Sequence, residues 1–252
     1  MAMGYSFRQA TLIVMKKGIF GLLIKVIGYP VNIVLAFYYS FTLKDITRNY
    51  SLEELVDFVF NRCHGLIRPF QVKSELLEFI KAVARARPEV VVEIGTACGG
   101  TLFLLSRAAA DNAIIVSIDL SYGKFGGGYP VWRAPFYRSF AFKRQKLYLI
   151  RGDSHQESIL HKLENILNGR KVDCLYIDGD HTYEGVKEDF EMYSALLNNR
   201  ALIAFHDIAP NPPEPGAQVN KFWNEIKNNY QHNEIIENRG QSGAGIGVLL
   251  KQ

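Results

Sequence analysis

The sequence of 252 residues has few cysteines and none of the cysteine spacings that build metal ribbons or disulfide frameworks. Cys63, Cys98 and Cys174 are an odd number and form no CxxC pair, which excludes a disulfide scaffold and a zinc ribbon. Low-complexity disorder is also excluded, because 48% of the residues are hydrophobic and the net charge is only +4. The length fits one large α/β domain, or one domain with an appendage, and reduced thiols fit a cytoplasmic protein.

The long apolar run of the chain lies near the N-terminus and is interrupted. Of the 23 residues from Ile19 to Phe41, 17 are apolar, which approaches the ~20 that a membrane helix needs. Lys25 and Pro30 break the run, and no small-residue cleavage site of a secretory signal follows it. Three interpretations stay open for this hydrophobic arm, residues 1–50. It is a monotopic anchor that contacts a membrane surface through residues 12–42, a helix packed on the domain or on a second subunit of a homo-oligomer, or a true span.

From residue 51 onward, short apolar runs typical of buried strands alternate with helical patterns. The strand-like runs are Val90–Ile94, Ile114–Ile118, Leu147–Ile150, Val172–Ile177 and Ala201–Phe205. The helical patterns are a capped helix from Ser51, then Gln71–Arg87, Gly99–Ala110, Gln156–Leu167 and Tyr183–Leu197. This alternation predicts a parallel sheet covered by helices on both faces. Two later runs, His232–Glu237 and Gly245–Leu250, predict a closing hairpin.

Polar and charged residues that could bind a ligand or take part in catalysis follow all five predicted strands. The sequences at the strand ends are EIGTACGGT at 93–101, Asp119, GDS at 152–154, DGDH at 178–181 and HD at 206–207. The carboxyl edge of an open parallel sheet is where such folds bind ligands. The first loop is neither a phosphate-binding loop nor a GxGxxG fingerprint, because no lysine follows Gly99 or Gly100 and the spacing is GxxxGG. Taken alone, its glycines also fit a simple tight turn from strand to helix.

With these motifs, the chain from about residue 50 to 252 resembles the class I S-adenosylmethionine-dependent methyltransferases. That resemblance implies a Rossmann-like α/β sheet of seven strands whose last strand is antiparallel, preceded here by an N-terminal helical arm. More narrowly, the chain resembles the metal-dependent O-methyltransferase branch that contains macrolide-sugar and rhamnosyl O-methyltransferases and the cephalosporin-hydroxylase-like proteins. There, a DGxH motif and a later acidic pair hold a divalent metal.

The resemblance assigns the cofactor residues to the first three strand ends. It implies that Glu93, Gly95, Thr96 and Gly99 hold the methionine end of S-adenosylmethionine and that Asp119 binds the ribose hydroxyls. It places Asp153 and Ser154 beside the adenine. A plain alternative for Asp153 is a capping role at the start of the next helix.

Metal and base are assigned to the ends of the fourth and fifth strands. Asp178, His206 and Asp207 are the expected ligands of a divalent metal, Mg²⁺ or Mn²⁺. The imidazole of His206 stands where relatives commonly carry an acid, which favours Mn²⁺, Fe²⁺ or Co²⁺ over Mg²⁺. Asp178 and His181 are the expected catalytic residues, with His181 as the base that takes the acceptor's proton and Asp180 as a group that orients it. Purely structural hydrogen bonds are the alternative for both histidines.

A basic aromatic insertion, residues 120–151, separates the second and third predicted strands. It contains seven basic and no acidic residues, so the remainder of the chain has a net charge of −3. Its aromatic residues suit sugar rings, its cations suit phosphates or carboxylates, and its triple glycine suits a hinge. We predict a lid over the acceptor, with a solvated basic loop whose aromatics lie in the core as the alternative. No recognisable DNA- or RNA-binding module accompanies it, which argues against a nucleic-acid partner.

These expectations converge on an enzyme of residues 51–252 with a hydrophobic arm. It would be an S-adenosylmethionine-dependent, metal-assisted O-methyltransferase acting on a hydroxyl of a sugar, glycolipid or glycosylated metabolite, in the cytoplasm and peripherally at the cytoplasmic membrane face. Two alternatives stay open. One is a non-catalytic subunit with this fold at a membrane. The other is a hydroxylase-like metal enzyme that uses His181, His206 and Asp178 as a facial triad.

Overall fold

The structure is a computed structural model that describes residues 30–123, 125 and 127–251. Helix α1 comprises residues 30–46 of this part. The remaining helices are α2 (Leu52–Asp57, continued by a π turn at Phe58–Arg62), α3 (Lys73–Ala86), α4 (Gly100–Ala108), α5 (Arg133–Arg138), α6 (Glu157–Leu167), α7 (Tyr183–Ser194) and α8 (Val219–Ile226). The strands are β1 (Val90–Ile94), β2 (Ile114–Asp119), β3 (Lys146–Arg151), β4 (Val172–Ile177), β5 (Leu197–His206), β6 (Gln231–Ile235) and β7 (Ile246–Leu250).

The seven strands form one sheet in the order β3-β2-β1-β4-β5-β7-β6. Strands β1 to β5 are parallel, and β7 enters antiparallel between β5 and β6. The chain winds outward from β1 to β3 and then returns to place β4 on the other side of β1. This reversal opens a crevice at the carboxyl ends of β1 and β4. The predicted sheet with its antiparallel last strand is confirmed.

Two apolar cores cover the two faces of the sheet. On one face, α1 to α5 pack on alternate residues of the strands, such as Val91, Ile115 and Tyr176. On the other face, α6 to α8 pack on the intervening residues, such as Val92 and Leu175. The strands are therefore buried on both sides, which is why they read as continuous apolar runs in the sequence.

The described part of the arm is a helix with one buried and one exposed apolar face. Ala36, Tyr39 and Leu43 lie in the first core, and the Tyr39 hydroxyl donates a hydrogen bond to the carbonyl of Arg62. Val34, Phe37, Tyr38 and Phe41 are more than half exposed. Among the helices of residues 30–251, none combines the length and the apolar character that a membrane crossing requires. The remainder of the apolar run, residues 19–29, lies outside the described residues.

Helix boundaries near the site differ from the sequence prediction in one instructive place. The capping box is confirmed, because the Ser51 side chain accepts from the Glu54 backbone and the Glu54 side chain accepts from the Ser51 backbone. Helix α3, however, begins at Lys73 rather than at Gln71. Gln71 is thereby released from the helix, and its side chain enters the crevice described next.

Candidate functional site

A cavity of about 420 Å³ lies at the carboxyl ends of the parallel strands. This volume is in the usual range for a site that holds a small ligand. Its floor is made by the loops after β1, β2, β3, β4 and β5. Its rim includes Phe70, Leu120, Phe125, Pro212, Pro213 and Glu214.

The loop after β1 requires a glycine at position 95. Gly95 has a φ of +97°, and a β-carbon there would overlap the carbonyl oxygen of Asp178. Two backbone hydrogen bonds fix this junction: Gly95 donates to Ile118, and Asp178 donates to Ile94. Gly99 has a φ of +80° and packs against the ring of Tyr137. The close approach of the chain at Gly95 brings the loop that would hold a cofactor next to the backbone of Asp178 and Gly179.

Asp119 ends β2 at the cavity wall and is held by backbone donors. Its two oxygens accept hydrogen bonds from the backbone N–H groups of Ala97 and Gly128, both at 3.0 Å. Burial raises the pKa of Asp119 to about 6, against these hydrogen bonds and the charge of Arg151, which lower it. This carboxylate therefore lies where the sequence predicts the ribose acid to be.

Glu93 and Thr96 lie behind the cavity wall rather than in it. Glu93 is fully buried and accepts a short hydrogen bond from the Ser117 hydroxyl, which in turn lies 2.6 Å from the Thr96 hydroxyl. Burial raises the pKa of Glu93 to about 8. Among the described residues that line the cavity, neither of these two nor Gly99 appears. Their assignment to the methionine end of the cofactor stays a prediction.

The loop after β3 brings Asp153, Ser154 and His155 to the wall of the cavity. Asp153 accepts from the backbone N–H of His155 at 3.1 Å, so it caps the turn that precedes α6 while still lining the cavity. The N-cap residue of α6 is Gln156, without a side-chain capping bond, so the capping role weighed for Asp153 at the start of that helix is not observed. Its place beside the adenine stays a prediction.

A buried ion pair that the sequence did not indicate lies beside this loop. His155 Nε2 is 3.3 Å from Oδ1 of Asp189, a residue of α7 that is completely buried. The Asp189 carboxylate raises the pKa of His155 to about 9, although burial lowers it. Burial raises the pKa of Asp189 as well, and of the two residues only His155 lines the cavity.

Two aspartates and two histidines converge at the ends of β4 and β5. Oδ1 of Asp178 is 3.1 Å from Nδ1 of His206 and 3.4 Å from Nε2 of His181. The other nitrogen of His181, Nδ1, is 3.2 Å from Oδ2 of Asp207 and 3.3 Å from Oε2 of Glu214. All four of the residues predicted for metal binding and proton transfer are thus brought into one cluster.

Electrostatics keep the two aspartates of this cluster ionised. Burial raises the pKa of each, but the neighbouring histidines outweigh it and hold both values below the ordinary range. Burial lowers the pKa of His206, yet Asp178 and Asp207 raise it well above its usual value. The pKa of His181 is raised as well, against its own burial, by Asp178 and Asp207. Two charged carboxylates at the cavity floor offer the oxygen ligands that divalent cations such as Mg²⁺ prefer.

The donor set fits a cation, with one difference from the predicted ligands. Asp178, His181 and Asp207 each offer a ligand atom, and these atoms lie within 4.8 Å of one another. Oxygen donors with one imidazole suit Mn²⁺ or Mg²⁺. His206, predicted as the third ligand, instead turns Nδ1 to both carboxylates, while its Nε2 is buried without a hydrogen-bond partner. Its ligand role stays a prediction.

Asp180 does not serve as the group that orients His181. Its Oδ1 accepts from the backbone N–H of Thr182 at 2.8 Å, which closes the turn before α7. The groups that contact Nδ1 of His181 are Asp207 and Glu214, and the ring of Phe125 stacks on the imidazole with centroids 4.8 Å apart. Glu214 lies in a loop with no motif, so its distance of 33 residues from His181 gave no signal in the sequence.

The basic insertion divides into two parts with different positions. Leu120, Gly123, Phe125 and Gly127 line the cavity, as a lid would. The segment from Tyr129 onward instead packs into the core, where Phe136, Tyr137 and Phe140 are almost completely buried. For this second part the alternative of core aromatics is the one observed. The ring of Phe140, just after α5, packs on Phe103 of α4, and the Tyr137 hydroxyl donates to the carbonyl of Ala97 in the glycine loop.

Residues 92–208, from β1 to just beyond β5, match a protein family described as a methyltransferase domain. Two curated relatives, an uncharacterized protein of Sinorhizobium fredii and one of Acanthamoeba polyphaga mimivirus, are each 29% identical over 143 and 162 residues. These matches cover 56% and 64% of this chain. They cover 15% of the first relative and 71% of the second, so the chain spans a small part of the first.

Several solved structures share the fold. One is the O-methyltransferase TomG from Streptomyces achromogenes with S-adenosylmethionine, at TM-score 0.54 and 13% identity over 81% of this chain and 91% of that one. A second, an O-methyltransferase from Bacillus cereus with S-adenosylhomocysteine, gives 0.55 and 16% over 83% and 95%. A third, CalS11, a TDP-rhamnose 3'-O-methyltransferase of calicheamicin biosynthesis, gives 0.52 and 18% over 79% and 92%. At these identities the likeness concerns the fold.

Proposed function

We propose that this chain is a class I S-adenosylmethionine-dependent methyltransferase and that it transfers the methyl group of that cofactor to an oxygen of its acceptor; the methyltransferase domain matched by residues 92–208 and the shared fold support this. The observation that carries the proposal is the cluster of Asp178, His181 and Asp207 in the same cavity as the glycine loop and Asp119. A cofactor held by the loop and by Asp119 would lie beside this cluster. An acceptor hydroxyl bound at the cluster would then meet the methyl donor directly.

The division of labour within the cluster follows from its donors. Asp178 and Asp207 would hold a divalent cation, Mg²⁺ or Mn²⁺. Such a cation, when bound, lowers the pKa of a hydroxyl and orients it. His181 would accept the acceptor's proton, since its imidazole lines the cavity and is oriented by Asp207 and Glu214.

A sugar-bearing acceptor fits the rim of the cavity. Phe70 is strongly exposed there, and Phe125, Pro212 and Pro213 add further apolar rings. Flat apolar rings pack well on the faces of sugar rings, and Glu214 offers an acceptor for their hydroxyl groups. We therefore propose a hydroxyl of a sugar, glycolipid or glycosylated metabolite as the methylated group.

A peripheral position at the cytoplasmic membrane face is proposed for residues 12–42. Support comes from the exposed stripe of α1, which we define as Val34, Phe37, Tyr38 and Phe41. Further support comes from charge, because residues 1–50 contain six basic residues and one acidic residue. An apolar stripe with basic neighbours is the composition that binds an anionic lipid surface. A homo-oligomer that covers the stripe is the competing arrangement.

The reaction itself is tested with radiolabelled S-adenosylmethionine and a panel of sugar-containing acceptors. Wild-type protein should bind the cofactor in calorimetry, and transfer of label should stop with a chelator and return with Mn²⁺ or Mg²⁺. Asp207→Asn should reduce turnover by roughly a hundred-fold or more. Absence of cofactor binding would instead support a non-catalytic subunit. A product with an added hydroxyl instead of a methyl group would support the hydroxylase-like alternative.

The geometry also favours a second role for His181, as a third metal ligand. His181→Gln separates the two roles. If His181 is the base, the variant should lose turnover while its affinity for Mn²⁺ changes less than about three-fold. A loss of Mn²⁺ affinity of ten-fold or more would assign His181 to the metal.

A further inference from the structure

The segment between the π turn and α3 is fixed across the edge of the cavity. Nη1 of Arg133 donates to the carbonyl of Leu66 at 3.0 Å, and the carbonyl of Ile67 packs so closely on Gly100 that a β-carbon there would collide with it. This anchorage places Gln71 in the wall of the cavity, where only 8% of the residue is exposed.

Gln71 makes its shortest contact with the carboxylate of Asp178. Its Nε2 donates to Oδ2 of Asp178 at 2.6 Å and also lies 3.3 Å from the hydroxyl of Tyr176. Its Oε1 accepts from the Thr101 hydroxyl at 3.2 Å. Because an ionised carboxylate can only accept, the amide turns its nitrogen toward Asp178, and its oxygen is left to accept from the Thr101 hydroxyl.

These contacts divide the two oxygens of Asp178 between different partners. Oδ2 is occupied by neutral donors, Gln71 and the Tyr176 hydroxyl at 3.3 Å. Oδ1 faces the histidines and the remainder of the cluster. Neutral donors fix the carboxylate through Oδ2 without competing for its charge, and they leave Oδ1, which contacts the two histidines, turned toward the residues that would hold a cation.

We infer that Gln71 is a positioning residue for the metal-binding carboxylate: it holds Asp178 through Oδ2 so that Oδ1 is presented to the cation. Thr101 acts one step further out by orienting the amide of Gln71. The inference rests on the proposed binding of a divalent cation by Asp178 and Asp207. It assigns a part of the site to a segment that lies outside the strand-end motifs.

The test measures Mn²⁺ binding directly, by calorimetry and by electron paramagnetic resonance, on full-length protein without acceptor. Gln71→Met keeps the length of the side chain and removes the amide. We expect its Mn²⁺ affinity to fall by roughly ten-fold or more, as for other groups that orient a ligand. Thr101→Val should lower the affinity in the same direction by a smaller factor. The affinity for S-adenosylhomocysteine should stay within about two-fold of wild type in both, because Asp119 is untouched.

Gln145→Met is the matched control. Gln145 is a half-buried glutamine that donates to the carbonyls of Ser106 and Ala110, at the C-terminal end of α4. The Gln145→Met variant should be less stable than wild type but keep its affinity for Mn²⁺. Wild-type affinity in Gln71→Met and Thr101→Val would overturn the role of Gln71 alone. A wild-type protein that binds no Mn²⁺ would overturn the proposed metal site, and the inference with it.

Discussion

At the scale of single residues, the site combines carboxylates in contrasting environments. Asp178 and Asp207 face histidines, which keep their pKa values low. Asp119 and Glu93 are buried beside neutral donors, and burial raises their pKa values to about 6 and about 8. Paired carboxylates stay charged and suit a cation, whereas unpaired buried ones exchange protons near neutral pH. The cluster and the predicted cofactor end should therefore respond differently to pH.

The prediction at this scale concerns Asp119. A ribose hydroxyl donates a hydrogen bond to a carboxylate. Protonation of Asp119 therefore removes acceptor capacity and should weaken the binding of the cofactor. The affinity for S-adenosylhomocysteine should therefore rise with pH and level off above the pKa of about 6. Calorimetry between about pH 5 and pH 8 measures this change. That interval lies above the ordinary pKa values of carboxylic acids and includes that of histidine.

Asp119→Asn is the control for that titration. Its amide places a donor against the backbone N–H of Ala97 or Gly128, so affinity should fall by roughly ten-fold or more at every pH. The step near pH 6 should disappear at the same time. A step that persists in the variant would assign the titration to another group, and Asp119 would lose its place as the ribose acid.

At the scale of elements, α1 presents one face to the domain and another to its surroundings. Phe37→Ser with Phe41→Ser removes the two rings that contact each other on the exposed stripe, 5.0 Å apart. We expect the double variant to lose most of its co-sedimentation with vesicles of phosphatidylglycerol and phosphatidylcholine, because apolar burial drives such binding. Stability should hardly change, since both rings are about two-thirds exposed.

Phe70→Ser is the matched control for the stripe. Phe70 is equally apolar and 76% exposed, but it lies at the rim of the cavity. It should keep vesicle binding. If the double variant still binds vesicles and instead changes from dimer to monomer in size-exclusion chromatography, a second copy rather than a membrane covers the stripe.

The elements of the sheet could be predicted from sequence, whereas the directions of their side chains could not. A strand such as β1, Val90–Ile94, is buried on both faces and shows no polar alternation. Nothing local indicates that Glu93 turns to the side away from the cavity. Likewise the aromatic pattern of α5 fits a lid or a core equally, and its six residues are too few for a clear period.

The part of the site that the sequence missed depends on long-range contacts. Gln71 reaches Asp178 across 107 residues, and Asp189 reaches His155 from the middle of α7. The helical periodicity of the sequence assigns both residues to helices but does not indicate which residues they contact. Strand-end motifs identify Asp119, Asp178, His181 and Asp207 because parallel topology alone brings those positions together. For residues on loops and helix faces, the topology of the sheet does not determine which other residues they contact.

At the scale of the whole molecule, charge is separated along the chain. Residues 1–50 have a net charge of +5 and the insertion at 120–151 has +7, while the remaining residues have 16 basic against 24 acidic side chains. The mild total of +4 is thus the sum of two basic segments and an acidic body. Each basic segment contributes groups to the first core, so neither is a simple appendage.

Because the arm contributes buried residues to the first core, we predict that it contributes to the stability of the fold. Ala36, Tyr39, Leu43 and Thr47 of the arm are buried, and Nη2 of Arg107 lies 3.4 Å from the Thr47 hydroxyl. Removal of residues 1–50 should therefore lower the free energy of unfolding by roughly 4–6 kcal/mol, from the apolar burial that is lost. Chemical denaturation of residues 51–252 against the full chain measures it.

Leu43→Ala in the full chain is the matched point variant, because Leu43 is completely buried. It should cost about 2–4 kcal/mol, the range for leucine deletions in a packed core. A truncated protein as stable as the full chain would make residues 51–252 an independent domain. If both variants lose stability as expected, the arm cannot leave the domain freely. In that case a membrane bound by the outer face of α1 holds the cavity at a fixed distance from its surface.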